Sequence, residues 1–332
     1  MNLELPSQLL LKHQENLPTE LLIVAPPADE LLLNFPKATA WCWHYGDFAY
    51  LGANYGKSCY FGILPPAGKF NTAVLFLPKA HEFTSYLLDI LVNINECKTI
   101  FLVGEKKAGI GSAAKLLADF GEPNKIQSAK HSQLWQVEVT QTPKQKRDWL
   151  QEYTLSEELD NLQIVNIPGV FSYGRLDAGT ELLLNNLDNL PKGTVLDYGA
   201  GSGVITAFLA AKYPQNKTIA LEVDAFACEA TRLTLNANNL TAEIINSHNL
   251  KDAPNNLSAI VSNPPFHQGV KTNYKIAEDL IHDAYHKLKR GGEIRIIANE
   301  FLGFNKMLKN TFANCLQMAH EGGYKVWSAI KH

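Results

Sequence analysis

Three glycines at alternate positions, Gly199, Gly201 and Gly203, follow the apolar run Val195-Leu196-Asp197-Tyr198 and lead into Val204-Ile205-Thr206-Ala207-Phe208-Leu209-Ala210-Ala211-Lys212-Tyr213, which stops before Pro214. Pro191-Lys192-Gly193 marks a turn ahead of the run, so the spacing predicts strand, glycine loop, helix. Glycine lets the backbone turn tightly and lets a ligand approach without a Cβ in the way. The helix behind the loop presents free N–H groups and a positive dipole end. A nucleotide-like ligand is the reading this favours; a plain glycine-rich turn between a strand and a helix is the alternative.

The spacing narrows the ligand. A dinucleotide fingerprint reads G-x-G-x-x-G with pyrophosphate on the helix N-terminus, whereas this stretch reads D-x-G-x-G-x-G. Asp197 at the strand end would repel pyrophosphate but can accept hydrogen bonds from an ammonium group, directly or through water. S-adenosylmethionine carries such an ammonium and no phosphate. Thr218-Ile219-Ala220-Leu221 reads as a short buried strand ending in Glu222, where a ribose-binding carboxylate is expected after one helical crossover, with Asp224 as a second candidate.

A second motif, Ser262-Asn263-Pro264-Pro265-Phe266, follows the apolar strand Leu257-Ser258-Ala259-Ile260-Val261. Ligands of open α/β sheets collect at the carboxyl ends of the strands, so this loop and the glycine loop are expected to face one crevice. Two prolines stiffen the loop and remove two N–H donors, which leaves acceptors: the Asn263 side-chain oxygen and the Pro264 carbonyl. An exocyclic base amine offers two N–H bonds and is a poor nucleophile, so acceptors that orient it and stabilise the charge it develops supply most of what catalysis needs. Phe266 offers a flat face for a flipped base. Alone, Asn-Pro-Pro is simply a good turn. With the acidic glycine loop upstream, the pair points to methyl transfer onto nitrogen.

Strands at Glu20–Ala25, Thr39–Tyr45, Thr72–Leu77 and Thr99–Val103, a helix from about His81 to Val92 and another near Ser112 to Phe120 give the first half the same alternating rhythm. In the second half the strand ending at Val261 precedes a helix from Asn273 to Lys289 and a strand from Glu293 to Ala298. Each half also closes on similar strands, Leu134–Val139 and Tyr324–Ile330, so the chain reads as a duplicated α/β fold. The first copy has Ala25-Pro26-Pro27-Ala28-Asp29 where the second has its glycines, and is not expected to hold a cofactor. The boundaries are residues 1–142 for the degenerate domain, 143–164 for a polar linker or exposed helix, and 165–332 for the catalytic domain. Charge is nearly balanced, 30 basic against 33 acidic residues, so any nucleic-acid contact must use local patches. Candidates are Lys106-Lys107, the Lys144 to Arg147 stretch, Lys271 and Lys275, and Lys287, Lys289 and Arg290; a solvated face is the favoured account of the first two stretches and explains Lys287, Lys289 and Arg290 just as well. Five cysteines without a C-x-x-C pair suit free thiols in a reducing cytoplasm and offer no metal framework. No signal peptide or membrane-length apolar run is present in the sequence.

Together with Pro168-Gly169-Val170-Phe171-Ser172, Leu176-Asp177-Ala178-Gly179-Thr180 and Ala298-Asn299-Glu300-Phe301-Leu302, the two motifs resemble the ribosomal RNA small subunit methyltransferase C family, within the class I S-adenosylmethionine-dependent methyltransferases. The resemblance covers the C-terminal half well and the N-terminal half by architecture. It implies two Rossmann-like class I methyltransferase domains, the C-terminal one with a mostly parallel seven-stranded sheet and an antiparallel last strand. It implies methylation of a guanine N2 in 16S ribosomal RNA of the small subunit, by a protein expected to be a cytoplasmic monomer without metal. By the same resemblance Asp197, Gly199, Gly201, Gly203 and Glu222 bind S-adenosylmethionine, and Asn263, Pro264, Pro265 and Phe266 engage the base. The position after Ile244-Ile245, where such enzymes place an acid or amide on the adenine, reads Asn246-Ser247-His248-Asn249; Ser247, His248 and Asn249 are the candidates. Asp177 either closes over the cofactor or caps a helix from Ala178 to Leu187. His267 reads as a loop residue and not a base. Rival readings are a large-subunit guanine-N2 methyltransferase, a protein glutamine N-methyltransferase, and a non-catalytic ribosome-assembly factor; Asp197, Glu222 and Asn263 speak against the last.

Overall fold

The computed structural model describes residues 3–143, 147–264 and 270–332, with the side chains of all but Lys57 and 270–274 among these. Pro265, Phe266 and His267 therefore lie outside the described residues, as do Lys144, Lys146 and the side chain of Lys271. The chain divides into two compact units, Met1–Trp149 and Leu150–His332.

The first unit runs α1 (Leu5–Leu11), β1 (Leu22–Val24), β2 (Thr39–Cys42), α2 (Tyr45–Tyr55), β3 (Cys59–Phe61), β4 (Thr72–Phe76), α3 (His81–Asn93), β5 (Thr99–Glu105), α4 (Ala113–Leu117), β6 (Pro123–Ala129) and β7 (Ser132–Glu138). Its seven strands lie in the order β3-β2-β1-β4-β5-β7-β6. The first five are parallel, and β7 runs antiparallel to both β5 and β6.

The second unit opens with a hairpin, β8 (Gln151–Thr154) and β9 (Gln163–Asn166). It continues α5 (Ala178–Leu184), β10 (Thr194–Tyr198), α6 (Val204–Lys212), β11 (Lys217–Glu222), α7 (Ala225–Ala237), β12 (Glu243–Asn246), β13 (Leu257–Ser262), α8 (Val270–Lys287), β14 (Leu288–Asn299), α9 (Phe304–Phe312), β15 (Leu316–Glu321) and β16 (Tyr324–Ile330). The order is β12-β11-β10-β13-β14-β16-β15, with β16 antiparallel to β14 and β15. Counted from its own first strand, each sheet reads 3-2-1-4-5-7-6. Both also break register within the sixth strand, at Lys125/Gln127 and at Gln317/Ala319. Shared order, shared strand sense and a shared irregularity bear out the expected duplication.

The inner parallel strands of the second sheet, β10, β11, β13 and β14, are buried on both faces over most of their length, as continuous apolar runs require. Along β10 and β14 the side chains alternate between two cores: Leu196, Ile294 and Ile296 pack with α8 and α9, whereas Val195 and Ile297 pack with α5 and α6. Period two therefore sends Asp197, like Val195, to the α5–α6 face.

Four edge strands escape the sequence reading, β3, β6, β12 and β15; β15 in particular is exposed at almost every position and has no apolar alternation to betray it. The stretch 143–164, expected as a linker, is corrected from residue 150 onward. Leu155, Leu159, Leu162 and Ile164 are buried in the core beside α6, and Val165 N–H donates to Thr234 Oγ1 on α7 at 3.0 Å.

Candidate active site

The glycine loop leaves β10 and the Asn-Pro-Pro loop leaves β13, and these strands are parallel neighbours paired at Val195↔Ala259, Leu196↔Ile260 and Asp197↔Val261. Ser262 Oγ donates to the Tyr198 carbonyl at 2.7 Å, fastening the two carboxyl ends together. The two motifs thus open side by side, as the sheet rule demands.

Gly199, Gly201 and Gly203 all have positive φ, at 77°, 57° and 79°. At Gly203 the reason is contact as well as conformation, since a Cβ there would lie 2.8 Å from the Thr231 Cα. At Gly201 a Cβ would meet nothing within 4 Å, so that side of the loop faces open space. Two threonines of α7 hold the loop from behind: Thr231 Oγ1 donates to the Gly201 carbonyl at 3.1 Å, and Thr234 Oγ1 to the Ser202 carbonyl at 2.7 Å.

Asp197 is fully buried beneath the loop. Its Oδ2 accepts from Thr206 Oγ1 at 2.6 Å, while Oδ1 is buried without a partner. Desolvation pushes its carboxyl up to about 7, the Thr206 hydrogen bond opposes this, and the nearby Glu222 charge adds to it. An orphaned carboxylate oxygen under a loop open to the crevice is what a bound cation would complete. Glu222, at the end of β11, is also buried and grips the same loop. Its Oε2 accepts from Gly201 N–H at 2.8 Å, and its Oε1 accepts from the N–H groups of Val223 and Asp224 at 2.7 and 3.1 Å. Asp224 itself caps α7 by accepting from Phe226 and Ala227. The donor set and the open side at Gly201 fit an aminoacyl nucleoside such as S-adenosylmethionine.

Past β12, Ser247 is buried and its hydroxyl donates to the Asp252 carboxylate, with Asn249 N–H donating to Ser247 Oγ at 3.0 Å. Asn249 caps the short helical turn that follows, His248 is exposed, and Asn246 carries a buried Oδ1 with no partner.

Asn263 Nδ2 donates to Asp177 Oδ2 at 3.1 Å and to Thr180 Oγ1 at 2.8 Å. Asp177 also caps α5, accepting from Thr180 N–H at 2.8 Å. It therefore meets the loop after β13, 86 residues away, a contact no local pattern reveals. Thr180 and Thr231 escape the sequence reading for the same reason, since they reach Asn263 and Gly201, partners distant in sequence; Thr206 reaches back across the glycine loop to Asp197. Lys287 and Lys289, considered as phosphate contacts, are corrected. Their ammonium groups are tied to the Ala253 and Lys192 carbonyls at 2.5 and 3.0 Å, and Lys192 precedes β10, at the opposite end of the sheet from the loops.

Family comparison agrees over both units. The model of the methyltransferase small domain matches residues 161–328, and that of its N-terminal companion matches residues 7–153. The ribosomal RNA small subunit methyltransferase C of Stutzerimonas stutzeri is 46% identical over 98% of this chain and 98% of its own length. The chain belongs to the ribosomal RNA small subunit methyltransferase C family. The Pseudomonas syringae member is 45% identical over 97% of this chain and 98% of its own. Among solved structures, the T. thermophilus 16S rRNA N2 G1207 methyltransferase in complex with AdoMet and guanosine superposes with a TM-score of 0.83 at 22% identity, over 99% of this chain and 92% of that one. At that identity the likeness speaks for the fold, and it extends through both seven-stranded sheets of this family member.

Proposed function

We propose that this family member transfers a methyl group from S-adenosylmethionine to the exocyclic N2 of a guanine in 16S ribosomal RNA, acting on the small subunit or an assembly intermediate as a cytoplasmic monomer. The observation that carries the proposal is the adjacency of two loops of opposite character. One covers the buried, half-partnered carboxylate of Asp197; the other presents the Asn263 amide.

S-adenosylmethionine, when bound, supplies an electrophilic methyl group on a sulfonium. Asp197 and the backbone of Gly199, Gly201 and Gly203 would hold its aminoacyl end, Glu222 its ribose, and the segment from Asn246 to Asn249, with Ser247 and His248, its adenine. On the substrate side, Asn263 Oδ1 and the Pro264 carbonyl accept the two N–H bonds of the base amine and turn its lone pair into the crevice. As positive charge develops on that nitrogen, the same two oxygens stabilise it. The cationic product is acidic enough to lose its proton to water, so no dedicated base is required. Pro265 stiffens the loop, and Phe266 offers a stacking face. The target base must leave its helix to reach this depth.

Radiolabelled methyl transfer onto 30S particles, 50S particles, naked 16S RNA and a release factor tests the proposal. Label on guanine N2 of 16S RNA, free or in 30S particles, is the expected outcome. Label on 50S particles or on a glutamine side chain would replace it with one of the rival readings.

A further inference from the structure

The Asn263 amide is locked in one orientation. A carboxylate can only accept hydrogen bonds, so the group that Asn263 turns toward Asp177 Oδ2 must be its NH2. The single hydroxyl hydrogen of Thr180 is directed at the same Asp177 oxygen, at 3.3 Å, so Thr180 Oγ1 is left as an acceptor for the second amide hydrogen, at 2.8 Å. Both donors of Asn263 are thereby consumed. Turning the amide over would set its oxygen against two acceptor-facing partners and strand its NH2. Thr180 is buried and α5 is fixed at its far end, where Arg295 donates to the Asn186 and Asp188 carbonyls at 2.9 and 2.8 Å.

We infer that Asp177 and Thr180 are positioning residues that convert Asn263 from a side chain able to donate or accept into one that only accepts, and so make the pocket selective for an amine. A carbonyl edge at the same place would face acceptors alone. The inference rests on the proposed methyl transfer and deepens it: Asp177 acts through Asn263 and not on the cofactor.

Separating this role from helix capping requires variants that keep the cap. Asp177→Ser retains a capping oxygen but is too short to reach Asn263, and Thr180→Val removes the hydroxyl at constant shape. Both are expected to lower kcat on 16S RNA by about tenfold to a hundredfold, less than loss of the transition-state contact itself because Asn263 is kept, with calorimetric affinity for S-adenosylmethionine unchanged. Thr180→Ser, which keeps the hydroxyl acceptor, is expected to recover activity to within about threefold. Thermal melts confirm that each variant is folded. Wild-type kcat in folded Asp177→Ser and Thr180→Val, or Thr180→Ser as impaired as Thr180→Val, would overturn the inference. A loss of cofactor affinity with Asp177→Ser would overturn it in favour of direct cofactor contact. If the wild-type protein labels no guanine N2 in any RNA, the proposed function fails instead, independently of these variants.

Discussion

Thr206 Oγ1 donates to Asp197 Oδ2 at 2.6 Å, and the other oxygen of this carboxylate is buried and unpartnered. The helix that follows the glycine loop thus reaches back to anchor the strand that precedes it. Half of the carboxylate is spent on the fold, and the other half is the oxygen that the proposed function assigns to the cofactor.

Protonation of Asp197 should therefore leave a signature in pH. Its carboxyl stands at about 7 in the folded chain against 3.8 unfolded, chiefly through desolvation, so the folded state binds the proton more tightly. Stability from this group is fully present below the unfolded value and is lost as pH rises toward about 7, with no further change above. Melting temperatures of wild type and Asp197→Asn, taken from pH 4 to 8, are expected to converge or cross as pH rises through this window. A pH-independent difference between them would show that the carboxyl titrates normally. S-adenosylmethionine affinity should rise over the same interval in the wild type and stay level in Asp197→Asn, because only the ionised carboxylate attracts an ammonium.

The glycines should separate by function. Gly203→Ala places a Cβ against the Thr231 backbone at a φ of 79°, and is expected to cost about 2 kcal/mol or more of unfolding free energy, from overpacking and backbone strain combined. Gly201→Ala meets open space, so only the strain of about 1 kcal/mol remains, yet its methyl group intrudes on the side of the loop that the proposed function gives to the cofactor. Denaturant melts beside calorimetry with S-adenosylmethionine check the pair: Gly203→Ala is expected to lose stability first, Gly201→Ala affinity first.

Arg295 tests the scaffold apart from the chemistry. Its guanidinium is buried against Glu293 at 2.6 Å, and Ser328 Oγ donates to the same carboxylate oxygen at 2.6 Å. Arg295→Met leaves Glu293 buried and short of its cation, at an expected cost of about 3–5 kcal/mol. A double variant that also carries Glu293→Leu is expected to recover much of this. Urea melts of the two measure the difference; equal loss in both would show that packing and not charge dominates.

Much of the architecture was legible because parallel strands buried on both faces, such as Val195 to Leu196 and Ala259 to Val261, write themselves as short apolar runs bounded by turns. The glycine loop and Asn263 were legible because backbone geometry and acceptor chemistry restrict the residues that can stand there. The edge strand β15 was hidden because it has little core to face, and the β8–β9 hairpin because Leu155, Leu159 and Leu162 are sparse among polar neighbours. Asp177 was legible as a helix cap, but its contact with Asn263 was not: side chains 86 apart become partners only once β10 and β13 are neighbours. Likewise nothing local marks Lys287 and Lys289 as pins on backbone carbonyls, since their hydrogen bonds run to segments before β10 and β13.

The decisive measurement compares Asp197→Ala with Asn263→Ala, recording S-adenosylmethionine affinity by calorimetry and single-turnover methylation of 16S RNA at saturating cofactor. Asp197→Ala is expected to lose detectable cofactor binding while staying folded. Asn263→Ala is expected to bind cofactor as the wild type does and to turn over about a hundredfold more slowly or worse. Wild-type turnover by Asn263→Ala, or undiminished cofactor affinity in Asp197→Ala, would contradict the division of labour between the two loops.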